Sequence, residues 1–267
     1  MQTIISKDNP KLKAMRALVR SKKDRQEDSA FVMEGVRALS ALAEGSALPQ
    51  YRLKEVWMSN KIEAAFLPHV ESAGVPLFQI SHDVMEQLSD CRTSQGILGV
   101  VEYTPQPLDI NPERGNYLLL DGISDPGNMG TLIRSAVAFG FDGVFLHGDT
   151  VEVFNPKTVR ATMGALPFCN FQSLENRKGA GSACFQTLEK SGYDLISTVL
   201  HGGESLHGMK FGSKNVLVIG NEACGVSEAI QRLATRKLSI PMYGNVESLN
   251  AAVAGSICMF AIGSAKN

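Results

Sequence analysis

The chain has 267 residues, 44% of them hydrophobic and 20% charged, with a formal net charge of −1. These proportions belong to a soluble globular protein with apolar material for one or two packed domains. They exclude a disordered chain, and the near-neutral balance gives no general pull toward nucleic acid.

The charge is unevenly placed. Residues 1–25 carry Lys7, Lys11, Lys13, Arg16, Arg20, Lys22, Lys23 and Arg25 against only Asp8 and Asp24. Such a segment on an acidic body is a candidate phosphate-binding patch, or a solvated amphipathic helix. "NPKLKAMRALVRSKKDRQ" reads as that basic helix. "AFVMEGVRALSALAEG" reads as a strand leading into a helix, and "EVWMS", "PLFQI" and "GILGVVEY" as strands. Residues 1–103 therefore form a small α/β domain. "TPQPLDINPERGN", residues 104–116, holds three prolines and a glycine and reads as a linker.

Residues 117–267 alternate more regularly. "YLLLD" (117–121), "GVFLHG" (143–148), "DLISTVL" (194–200), "NVLVIG" (215–220) and "KLSIPM" (237–242) read as strands. Helices are expected from Met129 to about Gly140, over 155–166 and 183–192, and over 249–263. Apolar strands alternating with helices imply a mostly parallel sheet covered on both faces. The final apolar tract, 251–262, is broken by Gly255 and Ser256 and is too short for a bilayer, which needs about 20 residues. The polar, charged start predicts no signal peptide, and a cytoplasmic location.

The five cysteines (Cys91, Cys169, Cys184, Cys224, Cys258) form no C-x-x-C pair and read as reduced thiols. His201 and His207 share a loop without metal-ligand spacing, so no metal is expected.

Three strands run into polar loops: "GISDPGN" after Asp121, "NEACG" after Gly220 and "YGNVESLN" after Met242. In an open parallel sheet the carboxyl ends of strands share one edge, so the three loops can converge. No G-x-G-x-x-G, P-loop, G-x-S-x-G or H-E-x-x-H is present. Each loop residue also has a structural reading. Asn128 could cap a helix from Met129, and Ser248 one from Leu249. Asn250 could sit in a first turn, Glu222 could favour a helix start after Gly225, and Arg134 could be solvated. Asn221, Glu222, Ser248 and Asn250 together exceed what two helix starts require.

"LDGISDPGNMGTLIRSAVAFGFDGVFL" (120–146), "LVIGNEACGVSE" (217–228) and "LSIPMYGNVESLNAAVAGSICMF" (238–260) resemble, in order, the three motifs of the SpoU (TrmH-like) family. These are RNA ribose 2′-O-methyltransferases of the SPOUT class. "ISKDNPKLKAMRAL", "FVMEGVRAL" and "TSQGILGVVE" resemble the family's L30e-like RNA-binding extension. The resemblance implies an α/β fold: a trefoil-knotted, mostly parallel sheet preceded by a smaller L30e-like α/β domain. It implies S-adenosyl-L-methionine as cofactor, an RNA substrate and a homodimer with the last helix in its interface. Asn128, Arg134, Glu222, Ser248 and Asn250 fall on the catalytic motifs. Thr198, Leu200, Gly220, Asn221, Ile240, Met242 and Leu249 would line the cofactor pocket. Lys7, Lys11, Lys13, Arg16 and Arg20 would hold RNA phosphates. Cys224 stands where many members carry a smaller residue, and it reads as a filler.

The implied reaction moves a methyl group from a sulfonium to a ribose 2′-oxygen. A guanidinium stays protonated in proteins, so Arg134 suits charge stabilisation at that oxygen better than proton removal. The proton could pass to phosphate, water or Glu222. The extra N-terminal domain favours ribosomal RNA of the large subunit. A tRNA methyltransferase is the alternative enzyme, and a catalytically silent assembly factor the alternative of another class.

Overall fold

The computed structural model describes residues 1–6, 8–62, 68, 74–89, 94–174 and 180–265. Lys7 and Cys91 lie outside the described residues. The chain forms two compact units. One is Met1–Pro105 with Glu152–Phe168, and the other is Gln106–Val151 with Cys169–Asn267.

The first unit is built on a five-stranded mixed sheet of β1 (Gln2–Thr3), β2 (Ala30–Glu34), β3 (Tyr51–Ser59), β4 (Leu77–Ile80) and β5 (Ile97–Tyr103), ordered β1-β4-β3-β5-β2. The basic segment forms two helices, Pro10–Arg20 and Lys22–Glu27, instead of the single one expected. Ser21 separates them. Its backbone is extended, and its hydroxyl accepts the Asp24 N–H at 3.2 Å, so it caps the second helix. The first helix buries Leu12, Met15 and Leu18 at a spacing of three, which leaves Lys11, Lys13 and Arg20 exposed and Arg16 half-buried.

Arg25, counted by sequence with the basic patch, is buried instead. Its Nε and Nη2 donate to the two Glu152 carboxylate oxygens at 2.9 and 2.6 Å, and its Nη1 donates to the Leu18 carbonyl at 2.8 Å. Glu152 opens a stretch, 152–168, that belongs to the first unit although its sequence position suggests the second half. Phe154 stacks on Phe31 with ring centroids 4.4 Å apart, and Leu48 N–H donates to the Pro167 carbonyl at 2.9 Å.

The second unit carries seven strands: β6 (Gly115–Asp121), β7 (Gly143–His147), β8 (Phe171–Ser173), β9 (Asp194–Thr198), β10 (Glu204–Ser205), β11 (Lys214–Gly220) and β12 (Arg236–Ser239). Their order is β10-β12-β9-β11-β6-β7-β8, and every pairing is parallel. Both faces are covered. Val216 and Val218 pack with Leu188 and Ile230 from the helices Ala180–Lys190 and Glu228–Leu233. On the other face, Ile219 and Leu132 close around Gly255 of the C-terminal helix Ala251–Ser264. Ser135 of the helix Pro126–Ala138 and Ser256 share a hydroxyl–hydroxyl bond of 2.8 Å. The proline-rich stretch is packed here too: Leu108 is buried against Gly143, and its N–H donates to Gln172 at 2.9 Å.

The placement of β11 sets up the site. It enters between β6 and β9, although β9 precedes it in the chain. The carboxyl ends of β6, β11, β9 and β12 therefore lie side by side, the arrangement in which open α/β sheets bind ligands.

Candidate active site

The loop after β11 is held in a tight shape by its own backbone. Asn221 and Gly225 exchange both N–H···O=C bonds, at 3.0 and 2.9 Å. Gly225 has φ +71°, a conformation that favours glycine, and Asn221 Oδ1 accepts from Ala223 and Cys224 N–H. A Cβ on Gly220 would land on the backbone of Gly225 and Val226. Asn221 also reaches across to β6, donating to the Gly122 carbonyl at 2.7 Å.

That geometry aims Glu222 at the start of the helix Pro126–Ala138. One carboxylate oxygen accepts from Ser124 Oγ at 2.9 Å and Ser124 N–H at 3.3 Å. The other accepts from Asn128 Nδ2 at 2.8 Å and Asp125 N–H at 3.3 Å. Partial burial pushes the Glu222 carboxyl up, but the bonds from Asn128 and Ser124 outweigh it and hold the group below the usual carboxylate range. Asn128 Oδ1 in turn accepts from Asn250 Nδ2 at 2.9 Å. Glu222, Asn128 and Asn250 thus form one chain of bonds that ties the loop after β11 to the starts of two helices.

The helix starts differ from the sequence expectation. Asp125, not Asn128, caps the helix Pro126–Ala138, accepting the Asn128 N–H at 2.8 Å. Asn250, not Ser248, caps the C-terminal helix, its Oδ1 accepting from Ala252 and Val253 N–H at 2.9 and 3.2 Å. The helix starts at Ala251, two residues later than expected, because the asparagine both caps it and bonds Asn128. Glu222 serves the helix before it in sequence, and Ser227 stands at the start of the one after it.

Beside this network lies a cavity of about 540 Å³, within the range of small-molecule sites. Thr198, Leu200, Gly220, Asn221, Ile240, Met242 and Leu249 all line it, as do Glu222 and Ser248. Arg134 is absent from the lining and lies on the exposed face of the helix Pro126–Ala138, opposite buried Met129, Leu132 and Ile133. Sequence reasoning missed Glu247, which also lines the cavity. Its only signal was its place beside Ser248. Among the described residues the lining contains no Lys, Arg or His.

That donor set fits S-adenosylmethionine. Leu200, Ile240, Met242 and Leu249 offer apolar walls for an adenine, and the carboxylates suit a sulfonium and an ammonium rather than phosphates. Cys224 is exposed at the cavity. Burial pushes the Cys169 and Cys258 thiols up to about 12 and Cys184 up to about 11, which makes all three inert. No group of His, Cys, Asp or Glu among the described residues is placed to hold a metal ion.

Known proteins match over nearly the whole chain. Residues 9–99 match an MRM3-like substrate binding domain. The 23S rRNA (guanosine(2553)-2′-O)-methyltransferase RlmP of Bacillus subtilis is 29% identical over 97% of this chain and 98% of its own. The 23S rRNA (uridine(2479)-2′-O)-methyltransferase of Streptomyces viridochromogenes is 28% identical over 96% and 90%. Among solved structures, an AdoMet-bound rRNA methyltransferase from Sinorhizobium meliloti superposes with a TM-score of 0.84, 28% identity and coverage of 98% and 97%. Residues 115–260, more than half of the chain, match the SpoU rRNA methylase family, and this protein belongs to it.

Proposed function

We propose that this protein transfers a methyl group from S-adenosylmethionine to a ribose 2′-hydroxyl of large-subunit ribosomal RNA. The observation that carries the reading is the bonded chain Glu222–Asn128–Asn250, whose Glu222 end lines a cation-suited cavity. The family match and the AdoMet-bound neighbour support it. The bound cofactor supplies a methyl already activated as a sulfonium.

The protein's own residues bind and orient. Glu222 acts as a holder: its carboxylate is occupied by Ser124, Asp125 and Asn128, so it fixes the Asn128 amide and leaves proton acceptance to water or phosphate. Asn128 and Asn250 align the ribose beside the cavity, and Ser248, with no capping duty, is available to the substrate. Arg134, exposed in the single chain, stabilises charge growing on the 2′-oxygen and grips a neighbouring phosphate. Lys11, Lys13, Arg16 and Arg20 supply sequence-independent phosphate contacts from the first unit, with Lys7 beside them in sequence.

The same reading includes a trefoil knot in the second unit, a cytoplasmic location and a homodimer. Val253, Ile257 and Phe260 are exposed at helical spacing on the C-terminal helix, while its Ala252, Gly255, Cys258, Met259 and Ile262 are buried. A helix apolar on both faces calls for a second cover. No described helix is long and apolar enough to cross a membrane.

The deciding experiment incubates the protein with methyl-labelled S-adenosylmethionine and ribosomal RNA from a deletion strain and from its parent. Label should enter one 2′-O position of the deletion-strain RNA and not the parent RNA. Labelling of neither RNA, with the cofactor bound, would remove ribosomal RNA as substrate.

A further inference from the structure

We propose that Glu247 makes the cavity discriminate by charge, holding the sulfonium form of the cofactor more tightly than the neutral thioether left after transfer. This rests on the cofactor reading above and assigns a specificity-determining residue within that site.

The argument starts from the ionisable groups on the cavity wall. Glu222, Glu247 and Cys224 are there, with no cationic side chain among the described residues. The two carboxylates are not equivalent. Glu222 accepts four hydrogen bonds from Ser124, Asp125 and Asn128, so its charge is committed to protein donors. Glu247 lines the same cavity, is exposed, and has no hydrogen bond or ion pair to a described residue. Its charge is the one left over for a ligand.

The reaction changes the ligand's charge at one atom. A lone pair of the ribose 2′-oxygen forms the O–CH3 bond, and the S–CH3 bonding pair returns to sulfur. The hydroxyl proton leaves to water or phosphate. The cofactor goes from a net charge of +1, from sulfonium, ammonium and carboxylate, to zero. A free carboxylate on the wall attracts the first form and loses that attraction on the second, which weakens the grip on product. The effect is a surface-type Coulomb interaction, so it is modest and screened by salt.

Calorimetry on the full-length protein tests this with three ligands: S-adenosylmethionine, S-adenosylhomocysteine, and sinefungin, which carries an ammonium in place of the sulfonium. Glu247→Gln should weaken both cationic ligands about fivefold and move S-adenosylhomocysteine by less than twofold. Glu247→Asp should keep the gap between charged and neutral ligands. Added salt should narrow that gap in the parent protein and leave Glu247→Gln unchanged. Equal weakening of all three ligands, or no change in any, overturns the role of Glu247. Failure of all three to bind the parent protein would instead overturn the cofactor reading itself.

Discussion

Asn250 donates its amide to Asn128 at 2.9 Å while its own oxygen holds the Ala252 and Val253 N–H groups in the first turn of the C-terminal helix. One side chain therefore sets a helix start and orients the Asn128 amide. Asn250→Ala should cost about 0.5–2 kcal/mol in urea denaturation, the range for a lost cap, and should also lower methyl transfer. Ser248→Ala, which removes no cap, should stay within about 0.5 kcal/mol of the parent. Any loss of turnover in Ser248→Ala would then belong to the chemistry, whereas a cap-sized loss of stability would contradict the structure.

Glu222 contributes stability that depends on pH. Its carboxyl lies below the ordinary 4.5 in the folded protein, so its contribution is complete above that value and is lost as pH falls through the folded pKa. Glu222→Gln should be less stable than the parent by about 1 kcal/mol near neutrality, a figure discounted for solvent screening of a partly exposed group. The difference should shrink below pH 4.5. Denaturant titrations from neutral to acid pH measure it, and a gap that widened on acidification would contradict the assignment.

Gly220 is fixed by space. A Cβ there meets backbone of Gly225 and Val226, which cannot rotate away as a side chain would. Gly220→Ala should cost about 1–3 kcal/mol by overpacking and open the 221–225 loop. Because Gly220 and that loop line the cavity, calorimetry should show S-adenosylmethionine affinity falling at least tenfold.

Arg134 is the converse case, exposed and outside the cavity lining. Arg134→Ala should leave cofactor affinity and stability near parental values and reduce kcat by at least a hundredfold, the scale of removing one preorganised transition-state donor. Lysine at this position should restore part of the rate, having charge without the two-pronged geometry. Unchanged turnover in Arg134→Ala would end its proposed role.

Phe260 is 59% exposed on a helix whose opposite side is buried. Phe260→Glu should shift the protein from dimer to monomer in sedimentation velocity at micromolar concentration. A parent protein that sediments as a monomer would remove the dimer from the proposal.

Much of this was legible in the sequence, because polar loops after apolar strands mark the ligand edge of a parallel sheet. The seven pocket residues named from the family resemblance line one cavity. The helix caps were harder. Ser248, Asn250, Asp125 and Asn128 are all good cap formers, and the choice of Asn250 depends on a bond to a residue 122 positions away. Ser21 broke a basic run that looked continuous, since periodicity does not show a capping hydroxyl in use. Short strands such as β8 and β10 carry too few residues to leave a period. Glu247 went unnoticed because its meaning depends on which other carboxylate is already occupied.

The buried pair of Arg25 and Glu152 spans 127 positions of chain. A buried guanidinium cannot stay unpaired without a large cost, and Phe31 likewise waits for Phe154. During synthesis on the ribosome, the first unit therefore cannot finish folding when its own continuous stretch has emerged. Its completion waits until residue 168 has been made, by which time β6 and β7 are already out. Maturation of the two halves is interleaved in time, and a truncation after Pro105 should yield an incomplete core instead of a free-standing RNA-binding module.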